Sequence, residues 1–102
     1  MASRSLAIVQ ATDADVLVKT GSGFYSGTAL LAAAADSTAK VYDSATVAGV
    51  ANTKLIDVIG IDVSLEGSNS SKANSPTEPT RFKDGLVIVL TGAGAIATIR
   101  YK

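Results

Sequence analysis

Apolar residues in this chain occur mostly in short runs separated by small and polar residues. The clearest run is residues 86–90, five consecutive apolar residues that include two valines and an isoleucine. A run of this length and composition is typical of a strand that is covered on both faces. A Thr-Gly-Ala-Gly turn sequence and a second strand-like segment, residues 95–101, follow it. We therefore predict a C-terminal hairpin within residues 81–102, which the rest of the chain must cover because an isolated hairpin is marginal in water.

Four earlier segments also have strand-like patterns. Residues 5–11 and 16–18 are apolar and are followed by polar or glycine-rich turn residues. Residues 40–43 (Lys-Val-Tyr-Asp) indicate a further short strand. Residues 54–63 have the two-residue period of a strand, and both the odd and the even positions contain apolar residues, so neither face would be purely polar. Gly60 in their middle is a candidate β-bulge.

Two segments are less regular. Residues 24–35 leave two alternatives, because their alanine-rich part has high helix propensity while their position between strand-like segments favours one or two strands. Residues 64–80 are polar and hold both prolines of the chain. We predict a long polar loop there, from which residues 68–75 could be deleted without loss of the fold.

The pattern as a whole predicts one all-β domain spanning residues 1–102. We expect a small antiparallel β-sandwich or barrel, jelly-roll-like, with about six to eight strands. Residues 1–12 would form an N-terminal strand or arm. A chain of 102 residues suffices for one modest core.

Composition and charge argue against several classes of partner. Nine basic residues balance nine acidic ones, so no field would attract nucleic acid or an anionic membrane. No segment has the length of a membrane span or the pattern of a signal peptide, so we expect synthesis in a cytoplasm. A neutral chain with 47% apolar residues is poorly protected against association. This composition favours a protein that functions while bound to another protein.

Candidate chemistry is sparse. Histidine and cysteine are both absent, which removes the usual general base and the commonest metal ligands. Residues 92–97 match a dinucleotide-binding pattern in form, but the chain ends five residues later and leaves no room for the helix that the mechanism needs. We therefore expect no enzyme activity, no catalytic residue, no cofactor and no metal.

Two pairs of aspartates are candidate sites. Asp13 with Asp15, or Asp57 with Asp62, could contribute to calcium binding, but that ion needs about six to eight oxygen ligands. Aspartates beside a turn more commonly cap it. As a glycosidase pair, Asp57 and Asp62 would lie on opposite faces of a regular strand.

Tyrosines allow one further interpretation. Tyr25, Tyr42 and Tyr101 could line a sugar-binding face. The simpler interpretation places them at the edge of the core with their hydroxyls in water.

Three short motifs carry a resemblance to a known family. They are Val-Tyr-Asp within residues 40–43, Arg-Phe-Lys-Asp-Gly-Leu at residues 81–86 and Ala-Thr-Ile-Arg-Tyr at residues 97–101. With them the chain resembles, loosely over residues 16–102, small β-sandwich virion proteins of tailed bacteriophages, most of all capsid decoration (cement) proteins. The resemblance implies a non-enzymatic component of the capsid exterior, made in the bacterial host cytoplasm. It further implies a homotrimer that binds the major capsid protein at capsomer junctions.

On this hypothesis the partner interface comprises the N-terminal segment, the polar loop and strand edges. The predicted interface residues are Arg4, Leu6, Ile8, Leu65, Lys72, Pro76, Pro79 and Arg81. The expected partners are the major capsid protein and further copies of the chain, with no nucleic acid, membrane or small-molecule ligand. The alternatives are a neck, tail or fibre component of the virion and a carbohydrate-binding or adhesin module.

Overall fold

Two packed β-sheets form the part of the chain that the computed structural model describes, residues 5–10 and 14–102. Its nine strands are β1 (Ser5–Gln10), β2 (Ala14–Thr20), β3 (Gly23–Leu31), β4 (Ser37–Asp43), β5 (Leu55–Ile61), β6 (Ser71–Asn74), β7 (Thr80–Phe82), β8 (Gly85–Thr91) and β9 (Ile96–Tyr101). A 3-10 turn at Asn52–Lys54 and a one-turn helix, α1 (Val63–Glu66), complete the elements of these residues.

Sheet I has the strand order β1-β9-β3-β6, and sheet II has the order β2-β8-β4-β5. All pairings are antiparallel. Strand β7 pairs with the beginning of β3 and β6 with its end, so the two share one position and each sheet is four strands wide. The first four strands alternate between the sheets, which is the winding of a jelly roll. The predicted antiparallel all-β sandwich is confirmed.

The predicted C-terminal hairpin is wrong in its pairing, although both of its strands exist. Strand β8 lies between β2 and β4 in sheet II, and β9 lies between β1 and β3 in sheet I. Their connection crosses from one sheet to the other, and Gly92 adopts a φ of 115° within it. A glycine-rich turn specifies a reversal of the chain but not the neighbour of the returning strand. Interior positions in two different sheets give both apolar strands hydrogen-bonded neighbours on both sides.

The core fills the space between the two sheets. Strand β8 contributes its alternate residues Leu86, Ile88 and Leu90, all fully buried, and β9 contributes Ala97 and Ile99. Large side chains from sheet I complete it. They include Tyr25, Leu30 and Phe82.

Of the segment 24–35, residues 24–31 form a strand, as their context predicted, while residues 32–35 lie outside it. Strand β3 pairs with β9 on one side and with β6 and β7 on the other. Its exposure alternates at Ala29, Leu30 and Leu31, of which only Leu30 is buried. Hydrogen bonding along both edges of the strand outweighs the helix propensity of its alanines.

The predicted long polar loop at residues 64–80 is interrupted by two elements, the end of α1 and the strand β6. Helix α1 begins after Asp62, whose side chain accepts a hydrogen bond from the backbone N–H of Ser64 at 2.9 Å. Strand β6 then pairs with β3 in register from Leu31 opposite Ser71 to Thr28 opposite Asn74. Strand β6 lacks apolar alternation because most of its residues are exposed. Deleting residues 68–75 would remove this strand, so the structure favours a loss of stability on that deletion over the predicted tolerance.

The predicted bulge at Gly60 lies elsewhere in β5. The register shifts where Val41 pairs with Asp57 and Tyr42 pairs with Leu55, which leaves Ile56 as the extra residue. Ile56 packs against the core, and the neighbouring Asp57 reaches the hydroxyl of Tyr25. The bulge thus turns two consecutive side chains of β5 toward the interior.

The side chain of Asp43 joins the end of β4 to the turn that enters β8. Its Oδ2 accepts a hydrogen bond from the backbone N–H of Lys83 at 3.0 Å, and Oδ1 accepts from Asp84 at 2.9 Å and Gly85 at 3.4 Å. Desolvation raises the pKa of Asp43, but these three backbone hydrogen bonds outweigh it, so the pKa lies below its ordinary value.

Asp43→Asn is therefore expected to lower stability by about 1 kcal/mol at neutral pH, because an amide oxygen replaces a charged acceptor. The lowered folded-state pKa means that this stabilisation is present above the unfolded value of about 3.9 and is lost as the pH falls through the folded value. The free energy of unfolding of both proteins is measured with urea at pH 7 and in acid. The native chain should lose more stability on acidification than the variant; equal losses would contradict the assignment.

Candidate functional site

Three of the six exposed large apolar side chains in the described residues lie on the outer face of sheet II. They are Leu17 (38% exposed), Leu55 (40%) and Val58 (48%). None belongs to the core cluster, because alternate residues of these strands point away from sheet I. Together with Tyr42, Val87 and Val89 they form what we call the sheet II patch.

Four of these residues form one row across the sheet. Leu17 pairs with Val87, Val87 with Tyr42, and Tyr42 with Leu55, so each strand contributes one side chain. The two central residues are buried by their neighbours, whereas the two at the ends face water. The row spans three strand spacings, or about 14 Å. It is therefore an apolar strip whose exposed surface lies at its two ends.

A second, mixed row runs beside the first. Asp15 pairs with Val89, Val89 with Lys40, and Lys40 with Val58. Asp15 and Lys40 are both exposed, so a negative and a positive charge lie next to the apolar strip. Charges of both signs at the border of an apolar surface can orient a partner without attracting every charged molecule.

The interface residues predicted from the sequence fall into two groups, of which the N-terminal one lies at β1. Leu6 pairs with Arg100 and Ile8 with Thr98 through the backbone, and β1 forms one edge of sheet I. Arg4 lies outside the described residues.

The second group lies at the opposite edge of sheet I, with β9 and β3 between the two groups. Its five members are all exposed: Leu65, Lys72, Pro76, Pro79 and Arg81. Two edges separated by three strand spacings, about 14 Å, do not make one continuous edge. Neither group belongs to the sheet II patch, and their role as an interface remains a prediction.

The second group includes one ion pair. The Nζ of Lys72 lies 2.8 Å from Oε1 of Glu66, and this contact with Lys72 lowers the pKa of Glu66. Hydrogen bonds from Ser64 likewise lower the pKa of Asp62, the residue that caps α1. Both carboxylates thus have structural roles at this helix.

Sequence reasoning missed the sheet II patch, although it carries a signal. The uninterrupted apolar run at residues 86–90 places Val87 and Val89 on the face opposite to the core. The mixed parity of residues 54–63 does the same for Val58. An apolar residue on both faces of a strand requires a cover on both sides. On this face the described residues bury Val87 but leave Val58 exposed.

The alternative of a tyrosine-lined sugar face does not fit the arrangement of the three side chains. Tyr25 and Tyr101 pair within sheet I, and Tyr25 is only 1% exposed, whereas Tyr42 lies on the outer face of sheet II. Tyr42 is itself buried at the centre of the apolar row. The three rings therefore share no exposed surface.

The aspartate pairs do not assemble a metal site in the described part of the chain. No three or more of its acidic side chains are grouped so that they could hold an ion. Asp57 accepts a hydrogen bond from Tyr25, and Asp62 caps α1. Asp13 lies outside the described residues. No helix in the described residues is long and apolar enough to cross a membrane.

Comparisons with known proteins inform the fold. No family model matches the sequence, and no curated protein matches it. Among solved structures, the chain is similar to the crystal structure of PirA, with 12% sequence identity and a TM-score of 0.50. The match covers 100% of this chain and 97% of that one. At this identity the similarity concerns the fold alone.

Proposed function

We propose that this chain is a non-enzymatic structural protein of a tailed-bacteriophage virion, which decorates the capsid exterior by binding the major capsid protein at capsomer junctions. The observation that carries the proposal is the sheet II patch, in which Leu17, Leu55 and Val58 expose apolar surface beside the buried Tyr42 and Val87. Covering these side chains would release about 25 cal/mol for each Å² of apolar surface removed from water.

The geometry of the patch suits a protein partner. Its side chains stand on hydrogen-bonded strands, so little conformational freedom is lost when a second surface covers them. A specific interface buries about 800 Å² on each partner, which is more than an apolar strip about 14 Å long supplies. The bordering Asp15 and Lys40, and neighbouring loops or strand edges, would supply the polar rim.

The resemblance motifs supply the choice of a capsid partner. Tyr42 and Asp43 of the first motif lie in β4, next to the patch, while Phe82 and Ile99 of the other two lie in the core. A decoration protein binds in many copies on a repeating lattice, so a moderate interface per copy stabilises the whole shell. A homotrimer would add avidity to each attachment, and the outer edges of sheet I are surfaces that it could use.

Attachment to capsids is the test. Purified virions should carry the chain in fixed ratio to the major capsid protein, in comparable copy number, as measured by quantitative mass spectrometry. A chain found only in the soluble lysate would refute the proposal. A few copies per particle would instead assign it to a neck, tail or fibre.

The patch itself is tested with Val58→Asp, which places a charge on the apolar strip. Binding of this variant to capsids that lack the chain should be weaker by about tenfold or more. Leu31→Asp is the matched control, because Leu31 is similarly exposed but lies on the outer face of sheet I. Equal binding by both variants would exclude the sheet II patch as the attachment surface.

A further inference from the structure

A cavity of about 320 Å³ opens beside β5, at the segment that joins β6 to β7. Its walls combine one carboxylate, from Asp57, with the polar side chains of Asn74, Ser75 and Thr80. The apolar side chains of Ile56 and Pro76 complete it. The cavity faces away from the sheet II patch, since Asp57 and Val58 are consecutive residues of β5 with side chains on opposite sides.

Three neutral groups hold the carboxylate of Asp57. Its Oδ2 accepts a hydrogen bond from the hydroxyl of Tyr25 at 2.6 Å. Its Oδ1 accepts from the backbone N–H of Val58 at 2.9 Å and from Nδ2 of Asn74 at 3.1 Å. These bonds orient the group, and none of its three donors carries a positive charge. A carboxylate accepts about four hydrogen bonds, two on each oxygen. Oδ1 already accepts two and Oδ2 accepts one, so Oδ2 can accept one more.

Tyr25 keeps this arrangement in place. Desolvation of its buried hydroxyl, followed by the hydrogen bond to Asp57, raises the pKa of Tyr25 well above its ordinary range. The hydroxyl therefore stays protonated as a donor, and it also shares a 2.6 Å hydrogen bond with Oγ1 of Thr28. The carboxylate is thus fixed before any ligand arrives, which lowers the entropic cost of binding.

No cation of the described residues pairs with Asp57. The one ion pair within the described part joins Lys72 to Glu66. The guanidinium of Arg100 donates to Oγ of Ser75 at 2.7 Å instead. Arg100 thus lies near the cavity without pairing with Asp57. A half-buried carboxylate that lacks a direct ion pair attracts a cation more strongly than an exposed one, because less water screens it.

We propose that this cavity binds a primary ammonium or guanidinium group, with Asp57 as its anion. The cation donates to the remaining position on Oδ2 and to the hydroxyl oxygen of Thr80, while Ile56 and Pro76 contact its aliphatic stem. The volume is at the lower end of ligand sites, which range over about 300–1,000 Å³, and suits one short basic group. A sugar fits less well, because the ring of Tyr25 is buried and offers no face for stacking. The ligand is either a free small amine or a basic side chain of a polypeptide.

The test is a titration of the isotopically labelled full chain, followed by NMR, with methylguanidinium and n-propylammonium. The side-chain amide of Asn74 should shift on addition, with affinity on the order of 1 mM because the probes are small. Urea, the neutral analogue of guanidinium, should produce no such shift. A capped Gly-Arg-Gly peptide distinguishes the sources: tighter binding than methylguanidinium assigns a polypeptide side chain, and equal binding assigns a free cation.

Two variants establish the role of the carboxylate. Asp57→Asn removes the charge at nearly constant shape and should weaken cation binding about tenfold or more. Thr80→Lys keeps Asp57 and its hydrogen bonds but places an ammonium in the cavity, so it should block the probes even if the first variant folds poorly. Asp15→Asn, on the far side of sheet II, is the control and should bind normally. Unchanged binding by Asp57→Asn or Thr80→Lys, or shifts with glucose and not with cations, would overturn the proposal.

Discussion

Ile88→Asp is expected to abolish folding. Ile88 is fully buried in the middle of β8, between Val16 of β2 and Val41 of β4. A carboxylate at this position has only apolar neighbours in the core, and burying a charge without a partner costs several kcal/mol. Domains of this size are stable by only about 5–15 kcal/mol, and the substitution also removes the packing of the isoleucine.

Circular dichroism and size-exclusion chromatography of the purified variant measure this effect. The matched control is Val58→Asp, which adds the same charge at an exposed position on the outer face of the same sheet. It should retain the native spectrum and unfold cooperatively. A native, cooperative Ile88→Asp variant would show that β8 is not a central strand.

Gly92→Ala is expected to lower stability by about 2–4 kcal/mol, which corresponds to a fall in Tm of roughly 10 °C or more. Gly92 adopts a φ of 115°, which residues with a Cβ rarely adopt. A Cβ there would also overlap Oγ of Ser37 and would lie 2.7 Å from the backbone oxygen of Asp36. Asp36 precedes β4, and Ser37 is its first residue. To make room for the Cβ, the connection between β8 and β9 would have to move.

Thermal unfolding compares this variant with Gly60→Ala. At Gly60 the nearest atoms to an added Cβ are 3.7 Å and 3.8 Å away, which is ordinary van der Waals contact, and φ is not positive. Gly60→Ala should therefore change stability by less than about 1 kcal/mol, in the stabilising direction because the unfolded chain loses freedom. Equal effects of the two substitutions would mean that the close approach of Gly92 to Ser37 is absent in solution.

The two proposed sites can fail independently. Val58 and Asp57 are neighbours in β5, yet one faces outward in the sheet II patch and the other lines the cavity. Val58→Asp tests attachment to a capsid and should not weaken cation binding, because it keeps the backbone N–H that holds Asp57 and adds no positive charge. Asp57→Asn tests the cavity and should leave the patch intact. Loss of both activities in both variants would indicate a general disturbance of β5.

Sequence reasoning located most of the strands, because local patterns report burial. The run at residues 86–90 became β8, and the strand alternative for residues 24–35 became β3. The polar strand β6 was missed, since an edge strand exposed on both faces has no apolar alternation to detect. The bulge was placed at Gly60 and lies at Ile56, because a bulge depends on the register with the neighbouring strand.

The candidate sites were less accessible to such reasoning. The sheet II patch depends on four strands, β2, β8, β4 and β5, that lie next to one another only in the folded sheet. The cavity joins Asp57 to Tyr25 and to Asn74, which are 32 and 17 positions away along the chain. No local pattern reports such distances. Five of the predicted interface residues are exposed at one edge of sheet I, but the sequence could not indicate that β1 lies at the other edge.

By itself, then, the sequence determined the all-β class and the strands of the core, since short apolar segments separated by turn residues can bury their surface only as packed sheets. The tertiary structure alone decided that β8 and β9 enter different sheets and which apolar residues remain uncovered. It also decided that Asp57 meets Tyr25. The physical reason is that burial is recorded locally in residue type, whereas the choice of strand neighbour arises from the packing of the whole chain.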